Sequence, residues 1–342
     1  MRRGLENSVN LVTAHLLDGG INADPEKSLD QVCATAVAAK IYAQCVRYYP
    51  FVLGAQPVRM IDLATFYAAV ANEGALPKPH AIESIEVDGH TVFQYPNAPL
   101  PFIGVADRTS FYQLKTMLQG VVARGTARAI DGLSPYVAGK TGTTEDAVDG
   151  WFVGFTNDVT IAVWVGYDNG DGKRRSLGTS ATGARVALPI FEPILETVWA
   201  EGIAPKAPLN GPSPEAKQHL VDLPIDYQSG TRTKGGGQAF LEHLRVEADG
   251  KVKDTQNQLV SRGEPHASQR HASRHAAESE ANQEGRWDRG WGNRAAAPEQ
   301  GWNAWGWGQQ QQQPAPSQNR GRGPYAPSSN SDERRSWSGW SN

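Results

Sequence analysis

The chain has 342 residues and a formal net charge of −3, so no bulk electrostatic attraction to nucleic acid is expected. It contains no run of 18 or more apolar residues, so no segment reads as a membrane-spanning helix. The first two thirds have the composition of a globular domain, whereas the last quarter lacks the aliphatic residues that would offset ordering entropy.

Residues 4–17 place Leu5, Val9, Val12, Leu16 and Leu17 at near-helical spacing and read as one amphipathic helix, without the apolar core of a signal peptide. His15 reads as a packed residue of that helix. A second, Ala-rich helix is expected over 28–45. On one continuous helix, Cys33 and Cys45 would stand roughly 18 Å apart, too far to bridge, so they read as buried free thiols. Pro50, Gly54 and Pro57 break the pattern. A third helix follows over 59–72, where Met60, Leu63, Ala64, Tyr67, Ala68 and Ala71 share a face, and Gly74 reads as its stop.

The stretch AIESIEVDGHTVFQY alternates apolar and polar around Asp88-Gly89 and predicts a hairpin. Helix returns over 107–123 with Asp107 as its N-cap, and Gly125 breaks the chain again. Arg124 and Arg128 flank that turn, facing either an acidic partner or solvent. From Val137 the period becomes two. VAGKTGT, GWFVGF and VTIAVWVGY predict three strands in an antiparallel meander, with a turn at Asn157-Asp158. Trp151 and Phe152 read as core or cleft wall, and Asp146 and Asp149 as a solvated turn. A closing helix carries Phe191, Ile194, Leu195 and Val198 on one side. Helices around an antiparallel sheet give an α+β class.

Residues 1–205 thus read as the folded domain, 206–260 as a loosely structured extension and 261–342 as a disordered tail. That tail holds seven of the ten tryptophans and a run of five glutamines. His266, His271 and His275 lie in it and read as tail residues rather than metal ligands. Its aromatic and basic residues suit contact with the cell wall or a partner protein better than contact with nucleic acid.

Gly139-Lys140-Thr141 admits two chemistries. A phosphate-binding loop needs a glycine at 134, where Ser134 stands, and it must open a helix. Here Lys140 leads into a loop and a strand, so that reading fails. The alternative is the K-T-G strand of penicillin-recognising serine enzymes. There a lysine supplies positive charge, hydroxyls bind a carboxylate, and a glycine lets a substrate backbone lie along the strand. Lys140, Thr141, Gly142, Thr143 and Thr144 meet those demands. About 130 residues upstream, Ser8-Val9-Asn10 supplies the companion S-x-N.

Several segments in order, RRGLENSVNLVT, YPFVLGAQPVRMIDLATFYAAVANEG, LKTMLQGVVARGTA and VAGKTGTTEDAVDGWFVGF, resemble the transpeptidase domain of class A penicillin-binding proteins over roughly residues 2–200. The resemblance implies the penicillin-binding-protein transpeptidase (β-lactamase-like) fold. It implies D-alanyl-D-alanine transpeptidation of peptidoglycan stem peptides, with carboxypeptidation as a side activity, β-lactams as ligands and no metal or organic cofactor. It also implies a place on the periplasmic face of the inner membrane, with an anchor upstream. By this resemblance Ser8 relays protons and Asn10 holds the acyl-side amide. Lys140 tunes the site, the hydroxyls of Thr143 and Thr144 meet the carboxylate beside Thr141 and Gly142, and the Thr143 N–H forms half of an oxyanion hole.

In that family an S-x-x-K nucleophile precedes S-x-N. No serine of this chain is followed three residues later by lysine. The expectation is therefore an N-terminally truncated domain that is inactive alone. The alternative is a catalytically dead cell-wall-binding or regulatory module.

Overall fold

A computed structural model describes residues 1–168, 171–234, 239–246 and 252, all within the unit Met1–Asn293. The expectations for 261–342, including the three histidines, lie outside the described residues. Among the described residues no helix is long and apolar enough to cross a membrane.

The element order is mixed. Helices α1 (Arg2–Glu6), α2 (Asn10–His15), α3 (Pro25–Ala38) and α4 (Met60–Ala71) come first, then the hairpin β1 (Ser84–Val87) and β2 (His90–Gln94) and helix α5 (Arg108–Ala123). Strands β3 (Ala138–Thr143), β4 (Asp149–Phe155) and β5 (Thr160–Gly166) follow. Helices α6 (Gly183–Val186), α7 (Leu188–Ala200) and α8 (Pro214–Lys217) and the strands β6 (Leu220–Asp226) and β7 (Ala239–Arg245) complete it. β3, β4 and β5 form the antiparallel meander read from the sequence, paired Lys140↔Val153↔Ala162 and Gly142↔Trp151↔Trp164. The α+β class holds.

Two apolar layers sandwich this sheet. One face, with Phe152 and Val163, packs on Leu188, Phe191 and Leu195 of α7. The other, with Ala138 and Phe155, packs on Ala69 and Val70 of α4 and on Phe111 and Leu118 of α5. Ile194, expected on the buried side of α7, is 41% exposed, because the buried stripe runs through 188, 191 and 195 instead. α5 starts as expected: the Asp107 carboxylate accepts from the Ser110 N–H at 2.9 Å. Arg245, held against it by hydrogen bond and charge, keeps the Asp107 carboxyl well below the usual carboxylate range.

Two expectations are corrected here. The first helix is two, broken at Ser8, whose φ is 55°. Gly4 explains the fold-back. A Cβ there would lie 2.6 Å from a Val12 methyl, so only glycine lets α2 close on α1. His15, at the end of α2, is exposed rather than packed.

The second correction concerns the cysteines. α3 ends at Ala38, and Lys40 turns left-handed at φ 59°. The chain reverses, Cys45 returns to Cys33 with a Cα–Cα distance of 5.4 Å, and the two form a disulfide. The bridge lies against a separate small core of Leu17, Leu29, Ala36 and Phe51.

Residues 206–260 read as a loose extension in which the apolar residues around 219–247 add marginal structure. There α8 and the β6–β7 hairpin pack against α5, burying Ala216 and Ile225. Glu242 of β7 pairs with Arg2, which is only 8% exposed.

Candidate active site

The positive φ at Ser8 turns its hydroxyl toward the sheet. Lys140 on β3 meets it there, Nζ donating to Ser8 Oγ at 2.9 Å and to the Thr141 carbonyl at 2.9 Å. Residues 132 positions apart thus form one hydrogen-bonded pair. Burial lowers the Lys140 ammonium to about 8, from 10.5 for an exposed lysine, because desolvation disfavours the charged form. A lysine that titrates near neutrality can hold or pass a proton through the serine it touches.

The strand alternates. Lys140 and Gly142 share the sheet face of Ala138 and Phe155, whereas Thr141 and Thr143 share the face of Phe152 and Val163. The Thr141 hydroxyl shares a hydrogen bond with the Thr126 hydroxyl at 2.7 Å. Thr143 Oγ1 accepts from the Gly183 N–H at 3.0 Å. Gly183 fits this seat because a Cβ there would lie 2.2 Å from the Trp151 carbonyl oxygen. The Thr144 hydroxyl donates to the Asp149 carboxylate at 3.2 Å and accepts from the Asp149 N–H at 2.8 Å. Asp149 is therefore not the solvated turn residue read from the sequence. It also accepts from the Trp164 indole at 2.8 Å. Asn10 stands exposed at the start of α2. The structure thus brings Ser8, Lys140 and Thr141 into one connected group, and engages Thr143 and Thr144 with neighbouring elements.

Two further residues tie the S-x-N turn to the K-T-G strand. Glu6 is fully buried, and its carboxylate accepts from Arg124 at 2.5 Å and lies 3.6 Å from Arg2. Arg124 therefore faces an acidic residue of its own chain. The Glu6 carbonyl accepts from the Thr126 N–H at 3.0 Å, in the same turn whose hydroxyl reaches Thr141. Gly120 and Gly125 make room: Cβ atoms there would lie 1.8 Å from the Glu6 carboxylate and 2.2 Å from its carbonyl oxygen. A buried charge in a polar Arg-Gly-Leu-Glu-Asn run has no periodic signature. The glycines of LQGVVARGTA are the one local hint that something passes close.

Residues 55–196 match the family model for the penicillin binding protein transpeptidase domain; Ser8 and Asn10 precede that span. The chain is 30% identical over 292 residues to Penicillin-binding protein 1A of Rickettsia bellii, an alignment covering 74% of this chain and 33% of that protein. It is 34% identical over 199 residues to Penicillin-binding protein 1A of Aquifex aeolicus, covering 58% of this chain and 25% of that protein. The chain thus spans a third or less of the length of these curated relatives. The crystal structure of Penicillin-Binding Protein 1A from Haemophilus influenzae superposes with a TM-score of 0.56 at 22% identity, covering 74% of this chain and 40% of that one, which is a likeness of fold. The K-T-G strand lies inside the segment that matches the penicillin binding protein transpeptidase domain, and the chain is similar to class A penicillin-binding proteins.

Proposed function

We propose that this chain carries the carboxylate-side wall of a D-alanyl-D-alanine transpeptidase site acting on peptidoglycan stem peptides. The observation that carries this reading is the Lys140–Ser8 contact of 2.9 Å, which joins the K-T-G and S-x-N motifs in one proton-holding pair. A peptide ending in D-Ala-D-Ala lies along the edge of β3 beside Gly142. Its carboxylate is drawn by Lys140 and by the strand hydroxyls, and Ser8 with Lys140 holds the proton that acyl transfer must move. The Cys33–Cys45 disulfide suits an oxidising compartment, in keeping with a site that meets the cell wall.

The nucleophile that such a reaction needs has no S-x-x-K in these 342 residues. The proposal for this chain is therefore reversible binding without stable acylation. Isotope-labelled chain titrated with benzylpenicillin or an N-acylated D-Ala-D-Ala peptide should show shifts at the amides of Gly142 and Thr143. Lys140→Ala should remove most of them. Fluorescent penicillin should leave no stoichiometric covalent label. Unmoved strand amides would sink the binding reading, and stable one-to-one labelling would show that a nucleophile exists within the chain.

A further inference from the structure

Two indole rings stand beside Lys140 with no assigned role. Cross-strand partners share a face in an antiparallel sheet, so Gly142, Trp151 and Trp164 lie in one rung next to the rung of Lys140, Val153 and Ala162. The rings of Trp151 and Trp164 are 6.3 Å apart, tilted by 52°. Trp164 is 37% exposed and Trp151 partly so. Large apolar rings left open on a sheet face are the uncommon case, because their burial is worth more than that of any other side chain.

Glycines border both rings. A Cβ on Gly142 would lie 3.1 Å from the Trp151 Cβ and 3.8 Å from a ring carbon. A Cβ on Gly166 would lie 2.3 Å from the Trp164 ring. At Gly142 the missing side chain leaves the Trp151 ring open toward the β3 edge, and at Gly166 it lets the Trp164 ring lie down along its strand. Asp149 fixes Trp164 by accepting its indole N–H at 2.8 Å, and the same carboxylate ties down Thr144 at the end of β3. The pair is therefore held in place from the motif strand itself.

From these contacts we infer that Trp151 and Trp164 form a subsite for an aliphatic or aromatic side group of the ligand bound along β3. This rests on the reading of β3 given above and names what that site selects. A group on a ligand paired along the β3 edge meets the Trp151 ring of β4 across two strand spacings, about 10 Å, over a residue with no side chain. In a peptide that group is the side chain of the residue before the D-Ala pair. In a β-lactam it is the acyl side group.

The test uses the whole labelled chain, with indole resonances assigned through Trp151→Phe and Trp164→Phe. Two N-acylated tripeptides ending in D-Ala-D-Ala, one with leucine and one with glycine before the pair, are compared. Benzylpenicillin is compared in the same way with 6-aminopenicillanic acid, which lacks the side group. The leucine peptide and benzylpenicillin should shift the Trp151 and Trp164 indole N–H signals, while the glycine peptide and 6-aminopenicillanic acid should shift only the Gly142 and Thr143 amides. Trp151→Ala should weaken the leucine peptide about three- to tenfold, the range expected for one aromatic contact, and leave the glycine peptide unchanged. Trp164→Ala provides the second variant, and the two-ligand comparison in the native chain needs no variant. Response of the indoles to the leucine peptide but not to benzylpenicillin, or the reverse, identifies which source the subsite takes. Equal affinity of the leucine and glycine peptides, with the strand amides shifting and the indoles still, overturns the subsite and leaves the β3 reading standing. Strand amides that do not respond to any ligand overturn both.

Discussion

Lys140 shows how one residue's surroundings become measurable. Its ammonium is taken out of water beside a serine hydroxyl and a carbonyl, with no carboxylate among its hydrogen-bond partners, so the charged form is disfavoured and the group titrates near 8. Below that pH, folded and unfolded chains are both protonated, and the folded one bears the full cost of burying charge. Between about pH 8 and 10.5 the unfolded chain still holds a proton that the folded chain has released, so stability rises with pH. Above 10.5 both are neutral and the penalty is gone. Lys140→Met removes the titration. The difference in melting temperature, native minus variant, should be flat from pH 6 to 8 and should then climb toward pH 10.5. A difference that stays flat across the whole range would mean that Lys140 is solvated. The motif residues were legible in the sequence because their chemistry depends on type and order. The depressed titration was not, since it comes from burial by segments far from Lys140 in sequence, the Ser8 turn among them.

At the scale of elements, periodicity served where a helix or strand has one buried stripe. α5 and the three-stranded meander follow their patterns closely, and α4 keeps its extent but buries Ala69 and Val70, outside the face read for it, while Met60 is 40% exposed. It failed where a helix ends without punctuation. Asn7-Ser8 and Ala39-Lys40 contain neither glycine nor proline, yet Ser8 and Lys40 both take left-handed backbone angles. The second of these turns converts two cysteines from distant to bonded. That bridge closes a loop of 12 residues beside a core of only four buried residues, Leu17, Leu29, Ala36 and Phe51, so it carries a large share of the local order. Loop-closure entropy sets the expected loss at about 3 kcal/mol when Cys33 and Cys45 are both changed to serine. The loss should fall on α3 and its neighbours rather than on the sheet. Hydrogen exchange should quicken at the amides of α3 while β4 and β5 keep their protection. Equal loosening of the sheet would show that the small core and the sheet unfold as one unit.

For the whole molecule, the decisive contacts join segments far apart in sequence, and that is where the reading of domain extent was least informed. Residues 206–260 read as a loosely structured extension by composition, with few apolar residues and much Pro, Gly and Lys. Three-dimensionally α8 and β7 close the side of α5. Glu242 meets the buried Arg2, Arg245 meets the cap residue Asp107, and the Phe240 ring lies under the Arg124 guanidinium at 4.8 Å. Arg124 in turn holds Glu6, two residues before Ser8. The hairpin is therefore linked to the S-x-N turn through two arginines and one buried glutamate. A chain ending at residue 205 keeps every motif residue but leaves Arg2 without Glu242. Removing one partner of a buried ion pair costs about 3 to 5 kcal/mol, and Arg2 keeps Thr116 and Glu6, which favours the lower figure. Residues 1–205 should therefore melt roughly 6 to 12 °C below residues 1–252. Its Gly142 and Thr143 amides should also respond more weakly to D-Ala-D-Ala peptide, because the Ser8 turn loses the support that Glu6 and Arg124 transmit. Equal melting temperatures would show that the hairpin only rests on α5. A lower melting temperature with an unchanged peptide response would show that the hairpin stabilises the fold without positioning Ser8.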